Sequence, residues 1–351
     1  MRVGGGALLA ELDAATQAHG LAVPAGQISH TGVGGLTLGG GMGWLARRHG
    51  LSCDNVASYE LVTADGERLH VDEASEPELF WGLRGGGGNF GVVTDFEFRL
   101  HPVAAQAQVV ELFFGVEDAA PVMRGWRELS AAAPRAATFT AWVGDSPEGR
   151  PMAGVGYVWA GVPDPDPRLL RELRALGTPV AERVEELSYL DLQRMDDTLE
   201  GHALRRYWKG HYFRSLSDEA IDAFLLRGTP DGHGEGLPAA SLQAYGGAIA
   251  DVPDADSAFS QRDAAFEFVA AARWSDPAED QQRIGAARRY AATLEPFATG
   301  MYVNAMSDEG AVGVARAYPP GKLARLRALK HAYDPQNVFR LNQNIPPDPS
   351  A

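Results

Sequence analysis

Apolar residues repeat along this chain with two periods, and the switches between them mark out its elements. Over residues 7–19 the spacing predicts a short amphipathic helix with Leu8, Leu12 and Ala15 on one face and Gly20 as its left-handed cap. Residues 59–64 and 67–71 read as two strands joined at Asp65-Gly66, a pair favoured in type I′ turns, so a β-hairpin is expected there. A short helix over 76–83 carries Leu79, Phe80 and Leu83 and stops at the glycines that begin with Gly85. Strict alternation follows, with Phe96, Phe98 and Leu100 on one face and Asp95, Glu97 and Arg99 on the other, until His101-Pro102 ends it. A domain boundary is placed at 101–105, beyond which glycine thins out and strands are predicted over 109–116, 138–143, 153–159, 207–214, 241–250, 265–274 and 300–306. Helices lie between them. One is marked by Val122, Trp126 and Leu129, a second by a capping box at 215–218 leading to Leu226, and a third by Asp276-Pro277 followed by Ile284, Ala287, Ala291 and Leu294. The last spans 322–333 and ends at Asp334-Pro335, ahead of a proline-rich tail expected to fray.

Two glycine-rich stretches break the pattern. Seven glycines stand between positions 32 and 43 (Gly32, Gly34, Gly35, Gly39, Gly40, Gly41, Gly43), a density foreign to a helix interior or an ordinary strand, because glycine costs entropy and packs no side chain. Such a stretch suits backbone that is approached closely by a ligand or another backbone, or a mobile loop. The second stretch, Gly86-Gly87-Gly88-Asn89-Phe90-Gly91, spells G-x-G-x-x-G, yet it follows a helix and precedes a strand, the reverse of the dinucleotide-binding order. No Gly-Lys-Ser/Thr tripeptide occurs, which excludes a Walker loop. What remains is a row of backbone amides able to line an anionic or planar cofactor.

Composition narrows the function classes. A chain of 351 residues, 45% hydrophobic, is long enough for two domains with real cores. Its 31 basic and 46 acidic residues give a net charge of −15, which argues against nucleic acid and anionic membrane as partners. The single cysteine, Cys53, excludes an internal disulfide and a multi-cysteine zinc site, and is expected to be a buried spectator. No apolar run reaches membrane-spanning length and no signal peptide is visible, so the expected location is cytoplasmic. His30 and His49 flank the first glycine stretch without metal-ligand spacing. The aromatic run 207–213 reads as a strand with one packed face, and 164–166 as a surface turn.

Four segments together carry a resemblance. Val23-Pro24-Ala25-Gly26, the stretch from Thr31 to Trp44, the stretch from Phe80 to Thr94, and the segment from Tyr333 to Pro346 resemble, in this order, the FAD-linked oxidases of the berberine bridge enzyme type, within the vanillyl-alcohol oxidase superfamily of PCMH-type FAD-binding proteins. The resemblance implies an α+β fold in three parts. Residues 1–103 would form part of the FAD-binding domain, 104–306 a substrate domain with an antiparallel sheet backed by helices, and 307–351 a segment returning to the FAD domain. In that family a first subdomain carries the diphosphate-binding loop and an Arg-Ser-Gly-Gly-His type motif whose histidine bonds the flavin; the expectation is that this chain starts after it. The slot where some relatives add a cysteinyl bond is Ile28 here, so bicovalent attachment is not expected.

By the same resemblance, Thr31, Gly32, Gly34, Gly35, Gly39, Gly41 and Gly43 would contact the flavin, and Gly91, Val92 and Val93 its ribityl and adenosine parts. Thr31, just before Gly32, would leave a path open for dioxygen. Tyr302-x-Asn304 and Asn342-x-Asn344 would face the flavin. The implied chemistry is hydride transfer from a substrate CH–OH, or a related C–H of a sugar, alcohol or secondary metabolite, to flavin N5, with a base taking the hydroxyl proton and dioxygen as acceptor. Relatives often place a tyrosine base three residues after the Tyr302 position; Ala305 stands there, leaving Tyr302 and Tyr245 as candidate bases. The rival expectation is a non-catalytic, truncated paralogue unable to hold FAD, and uncovered apolar surface on such a form would lower its solubility.

Overall fold

The fold is described from a computed structural model, which covers residues 1–198, 201 and 203–348. Two antiparallel sheets organise it. The first has the order β1-β5-β3-β4, built from β1 (Arg2–Gly4), β3 (Val56–Val62), β4 (Arg68–Val71) and β5 (Val92–Phe98), while a small ladder joins β2 (Leu21–Ala22) to β6 (His101–Pro102). The second has seven strands in the order β10-β7-β9-β8-β12-β13-β11. These are β7 (Gln106–Gly115), β8 (Ala137–Asp145), β9 (Pro151–Trp159), β10 (Ala181–Ser188), β11 (Arg205–Phe213), β12 (Ala239–Ala244) and β13 (Phe266–Trp274). Helices α5 (Val116–Ala132), α8 (Asp218–Leu226) and α10 (Asp280–Leu294) pack on one face of the larger sheet, burying Trp126, Phe139, Phe224, Phe268 and Tyr290 in one core. Among the further buried clusters of the described residues, one joins the smaller sheet to the C-terminal helices α11 (Gly310–Ala317) and α12 (Pro320–Tyr333), and one brings Met42, Tyr212, Tyr245, Phe259 and Tyr302 together. Among the described residues no helix is long and apolar enough to cross a membrane.

Local chemistry explains most elements, and also where the sequence expectations need correction. Helix α1 (Leu9–Gln17) buries Leu9, Leu12, Asp13 and Thr16, whereas Leu8 and Ala15 are exposed. The shift of face follows from Leu8, which bridges Gly32 in an extended conformation at the N-cap and so lies outside the helix. The 59–71 hairpin forms, but its turn is not type I′, since Gly66 has a positive φ and Asp65 does not. Gly66 N–H donates to Thr63 O and Thr63 N–H to Glu67 O, a longer turn closed by a left-handed glycine. Part of the first glycine stretch is helical after all: α2 (Val33–Leu38) contains Gly34 and Gly35.

Beyond residue 100, β12 stops at Ala244 instead of continuing to 250, because Gly246 and Gly247 turn the chain with φ of 81° and 60° into the short α9 (Ala248–Asp251). The strand expected over 300–306 is absent; Gly300 makes one bridge to Tyr212 and a 3₁₀ turn covers Val303–Ala305. Strand β10 was missed, since its polar pattern Ala-Glu-Arg-Val-Glu-Glu-Leu-Ser marks a charged sheet edge rather than an alternating half-buried strand. Helix α6 (Pro167–Arg174) was missed as well: the segment 164–166 is its entrance, with Asp166 accepting from Arg168 N–H. Ser217, inside the expected capping box, caps α8 through Ala220 N–H.

Candidate active site

The glycines of the first stretch divide into two kinds. A Cβ would meet backbone on Gly34 (Gly5 O at 2.7 Å) and on Gly43 (Ala25 O at 1.6 Å), and on Gly39 and Gly41 it would displace the Asn304 amide (Oδ1 at 1.9 Å) and the Ser52 hydroxyl (Oγ at 2.2 Å), so these four are filled from within the chain. Gly32 and Gly35 are different: both are exposed, neither has a positive φ, and a Cβ on either would meet nothing within 4 Å. Internal packing therefore gives no reason for glycine at these two positions, and they form a bare backbone face beside half-buried Thr31. That face is a cradle suited to a large planar or phosphate-bearing group.

On the inner side of the stretch, the C-terminal part of the chain braces the glycines. Tyr302 Oη accepts from Gly41 N–H and from Asn304 Nδ2, each at 2.9 Å, and Asn304 Nδ2 also donates to Leu36 O at 3.0 Å. The Tyr302 oxygen is thus held by two donors. About 10 Å³ is left in the void between Gly39, Gly85, Phe259 and Tyr302, about the room of one water.

Behind Tyr302 lies an aromatic and acidic cluster. Tyr212 on β11 has its ring centroid 6.0 Å from that of Tyr302 and 5.2 Å from that of Tyr245, and the two hydroxyls of Tyr212 and Tyr245 are 3.2 Å apart. Tyr245 Oη donates to Glu267 Oε2 at 2.9 Å. Glu267 stands opposite Tyr212 on β11 and Gln243 on β12 in register, while its neighbours Phe266 and Phe268 point into the helix-covered core. Burial pushes the Glu267 carboxyl up to about 7, with the Tyr245 hydrogen bond pulling the other way. The same burial, and then the charge of Glu267, holds the Tyr212, Tyr245 and Tyr302 phenols well above the ordinary tyrosine range.

A third wall comes from the C-terminus. Asn89, in the second glycine stretch, accepts from Ile345 N–H at its Oδ1 and donates from Nδ2 to Gly86 O. Lys330, fully buried, gives its three protons to Asn89 O, Asp334 Oδ2 and Phe339 O, and Asp334 in turn accepts from Val338 and Phe339 N–H. This strap lays Asn342 near Gly88 and leaves the buried Asn344 Oδ1 without a partner.

The sequence-derived candidates are therefore brought together only in part. Tyr302, Asn304, Gly39 and Gly41 meet directly, and Tyr245 joins them through Tyr212. Gly32, Gly35 and Thr31 lie on the outer face; Gly91 packs on Leu61, with Val92 exposed and Val93 buried beside it. Asn342 and Asn344 belong to the strap. Tyr212 and Glu267 were missed. Their signal was present as one acidic residue between two phenylalanines inside an apolar strand, but only register across β11, β13 and β12 shows that Glu267 faces the tyrosines. Cys53 is buried, and burial pushes its thiol up. The ring of His49 stacks on His101 with centroids 4.1 Å apart.

Comparison with known proteins identifies the family. Residues 1–72 match the family described as FAD binding domain, and residues 301–346 the family described as Berberine and berberine like. An FAD-linked oxidoreductase of Dictyostelium discoideum is 31% identical over 350 residues, which cover 97% of this chain and 74% of that protein. The FAD-linked oxidoreductase YvdP of Bacillus subtilis is 30% identical over 337 residues, covering 93% and 74% respectively. Among solved structures, 6-hydroxy-D-nicotine oxidase from Arthrobacter nicotinovorans is similar with a TM-score of 0.83 at 26% identity, covering 99% of this chain and 78% of that one. A cradle of bare glycine backbone, a phenol–carboxylate cluster behind it, and identity of this order over nearly the whole chain lead to one conclusion: this chain belongs to the berberine bridge enzyme-like family of FAD-linked oxidoreductases, and is an enzyme whose cofactor is FAD.

Proposed function

We propose that the enzyme oxidises a CH–OH group, or a related C–H bond, of a sugar, alcohol or secondary metabolite, and passes the electrons to dioxygen. When bound, FAD supplies the two-electron acceptor. One observation carries this reading: the glycine wall and the buried tyrosine–glutamate cluster share one core, with Tyr302 bonded to the wall and Tyr212–Tyr245–Glu267 directly behind it. In this reading Thr31, Gly32 and Gly35 present backbone to the cofactor from outside, and Gly34, Gly39, Gly41 and Gly43 hold that backbone in shape. Gly91, Val92 and Val93 continue the wall, while Asn304 and, through the strap, Asn342 and Asn344 close it. Tyr302 positions the wall, since two donors already occupy its oxygen; Tyr245, whose proton is directed at a carboxylate, belongs to the path by which the substrate loses its proton. The division into residues 1–103, 104–306 and 307–351 fits this reading, since the smaller sheet, the larger sheet and the strap each bring one wall.

The test is anaerobic bleaching of the flavin in FAD-loaded protein by a panel of aldoses, oligosaccharides, aromatic alcohols and 6-hydroxynicotine, followed by admission of air. Bleaching by one member and recovery of colour with peroxide formation are expected. Protein that takes up no FAD, or FAD that no member reduces, overturns the reading and favours a non-catalytic paralogue.

A further inference from the structure

We propose that the open face of the larger sheet binds a saccharide, with the indole of Trp142 as the shelf on which a sugar ring of the substrate lies. The inference rests on the oxidase reading above and deepens it by naming the substrate class. On β8, Phe139, Ala141 and Val143 enter the helix-covered core, so Thr140 and Trp142 face the opposite side of the sheet. Glycine prepares the place. Gly154 on β9 stands in register opposite both Trp142 on β8 and Phe113 on β7. A Cβ on Gly154 would fall 2.2 Å from Trp142 Nε1 and 2.7 Å from its Cδ1, and one on Gly144 would fall 3.2 Å from its Cζ3. The indole therefore lies down across two positions that carry no side chain, and its outer face is turned away from the sheet. Phe113 closes one edge, its ring centroid 5.8 Å from that of Trp142 at 59°. Both rings are half-buried, and among the described residues neither joins a buried cluster. A ligand can reach them.

The rim of this shelf is polar. Ser241 on β12 lies opposite Trp142, and Gln243 opposite Thr140. Ser241 is exposed, Thr140 and Gln243 are half-buried, and Gln243 Nε2 is a buried donor with no partner. The carboxylate of Glu111, which precedes Phe113 by two positions on β7, is met by Arg183 at 3.2 Å. An uncharged sugar ring satisfies such a place on both counts: its C–H face is drawn to the negative face of the indole, and its hydroxyls bond to the hydroxyls and amide at the rim. A flat aromatic ring would gain the stacking but leave those rim groups desolvated and unpaired. The shelf also lies within reach of the glycine wall. Gln27, ahead of Thr31, donates from Nε2 to Gln243 Oε1 at 3.0 Å, so the row of Thr140 and Gln243 adjoins the segment that leads into the bare glycines. Trp142 stands one pleat repeat further along β8, about 7 Å away. A substrate whose reacting carbon sits at the wall thus lays its remaining ring, or its next sugar unit, over Trp142.

Two measurements test the shelf. The first is saturation-transfer NMR on the protein with and without FAD, irradiating its aromatic protons in the presence of cellobiose, maltose or benzyl alcohol. Transfer to the ring C–H protons of a disaccharide is expected, with an apparent dissociation constant that rises about 10- to 100-fold in Trp142→Ala. Ser241→Ala, at an exposed position where folding is not at stake, should raise it about 3- to 10-fold through the lost hydrogen bond. Transfer to benzyl alcohol alone, transfer to none of the three, or a disaccharide bound equally by wild type and either variant overturns the proposal. The second is flavin reduction in FAD-loaded protein by the disaccharide that binds. Trp142→Ala should raise KM about 10- to 100-fold while the rate at saturation falls by less, the split of a residue that holds substrate away from the reacting atoms. A lower saturating rate at unchanged KM overturns the shelf. Bleaching by an aromatic alcohol and by no saccharide overturns it too and leaves the oxidase reading standing; failure of every panel member overturns that reading, and saturation transfer still decides whether the sheet binds a saccharide.

Discussion

Replacing Gly35 and Gly43 by alanine should have opposite consequences, and the contrast tests why this chain spends so many glycines in one stretch. Gly35 lies within α2, is exposed, and its added Cβ meets no atom within 4 Å. Alanine there gains helix propensity and lowers unfolded-state entropy, worth about 0.5–1 kcal/mol of stability. At Gly43 the new Cβ falls 1.6 Å from Ala25 O, 2.8 Å from Ala25 C and 3.2 Å from Gly26 O, all backbone atoms that no rotamer change can move. Restoring van der Waals distance needs a backbone shift of roughly 1.5–2 Å, an overpacking cost of about 3 kcal/mol. Urea midpoints of the flavin-free variants, followed by tryptophan fluorescence, should therefore rise or stay level for Gly35→Ala and fall for Gly43→Ala. FAD titration should show the reverse sensitivity for Gly35→Ala, with binding weakened about tenfold or more, or about 1.4 kcal/mol, because the methyl group occupies the bare face. If Gly35→Ala binds FAD as the wild type does, the exposed glycines are not the cradle. If Gly43→Ala is as stable as the wild type, the packing account of the inner glycines fails.

Other consequences follow from buried polar groups. Asp13 is buried against Gln193, with its Oδ1 unpartnered, and burial pushes its carboxyl up to about 6 against the Gln193 hydrogen bond and Arg194. A raised folded-state value means that its stabilising contribution is present below about 4 and is lost as pH rises through about 6; Asp13→Asn should accordingly be more stable than wild type at pH 8, by up to about 3 kcal/mol, and the advantage should vanish near pH 4 in paired thermal melts. Lys330→Met leaves Asp334 buried without its cation and releases Asn89 O and Phe339 O, at a cost of about 3–5 kcal/mol, and should speed backbone hydrogen exchange across 334–345 before the rest of the chain. Equal exchange in the two proteins would refute the strap. The Cys53 thiol, fully buried and pushed up by burial and then by Asp54, should resist a thiol reagent in native protein and react once on unfolding.

How much of this was legible beforehand varies with the range of the interaction. The hairpin at Gly66, helix α4 (Pro77–Leu83), the alternation of β5 and most strands of the larger sheet came from local period and turn chemistry. Elements that deceived were those whose local pattern is overridden. Helix α2 carries a glycine at position 34 because a side chain there would meet Gly5 O, a contact that sequence spacing does not reveal. Strand β10 survives at a sheet edge despite its charges, through its antiparallel ladder with β7.

The sequence by itself determined the family and the cofactor, because those depend on residue types in fixed order along the chain. Tertiary structure alone decided which glycines are bare and which are filled by Asn304, Ser52 or Ala25. It alone also brought Tyr212, Tyr245 and Glu267, from three strands or their ends, into one hydrogen-bonded line. Contacts between residues 22 to 55 positions apart are fixed by sheet register and burial, and no local pattern encodes them.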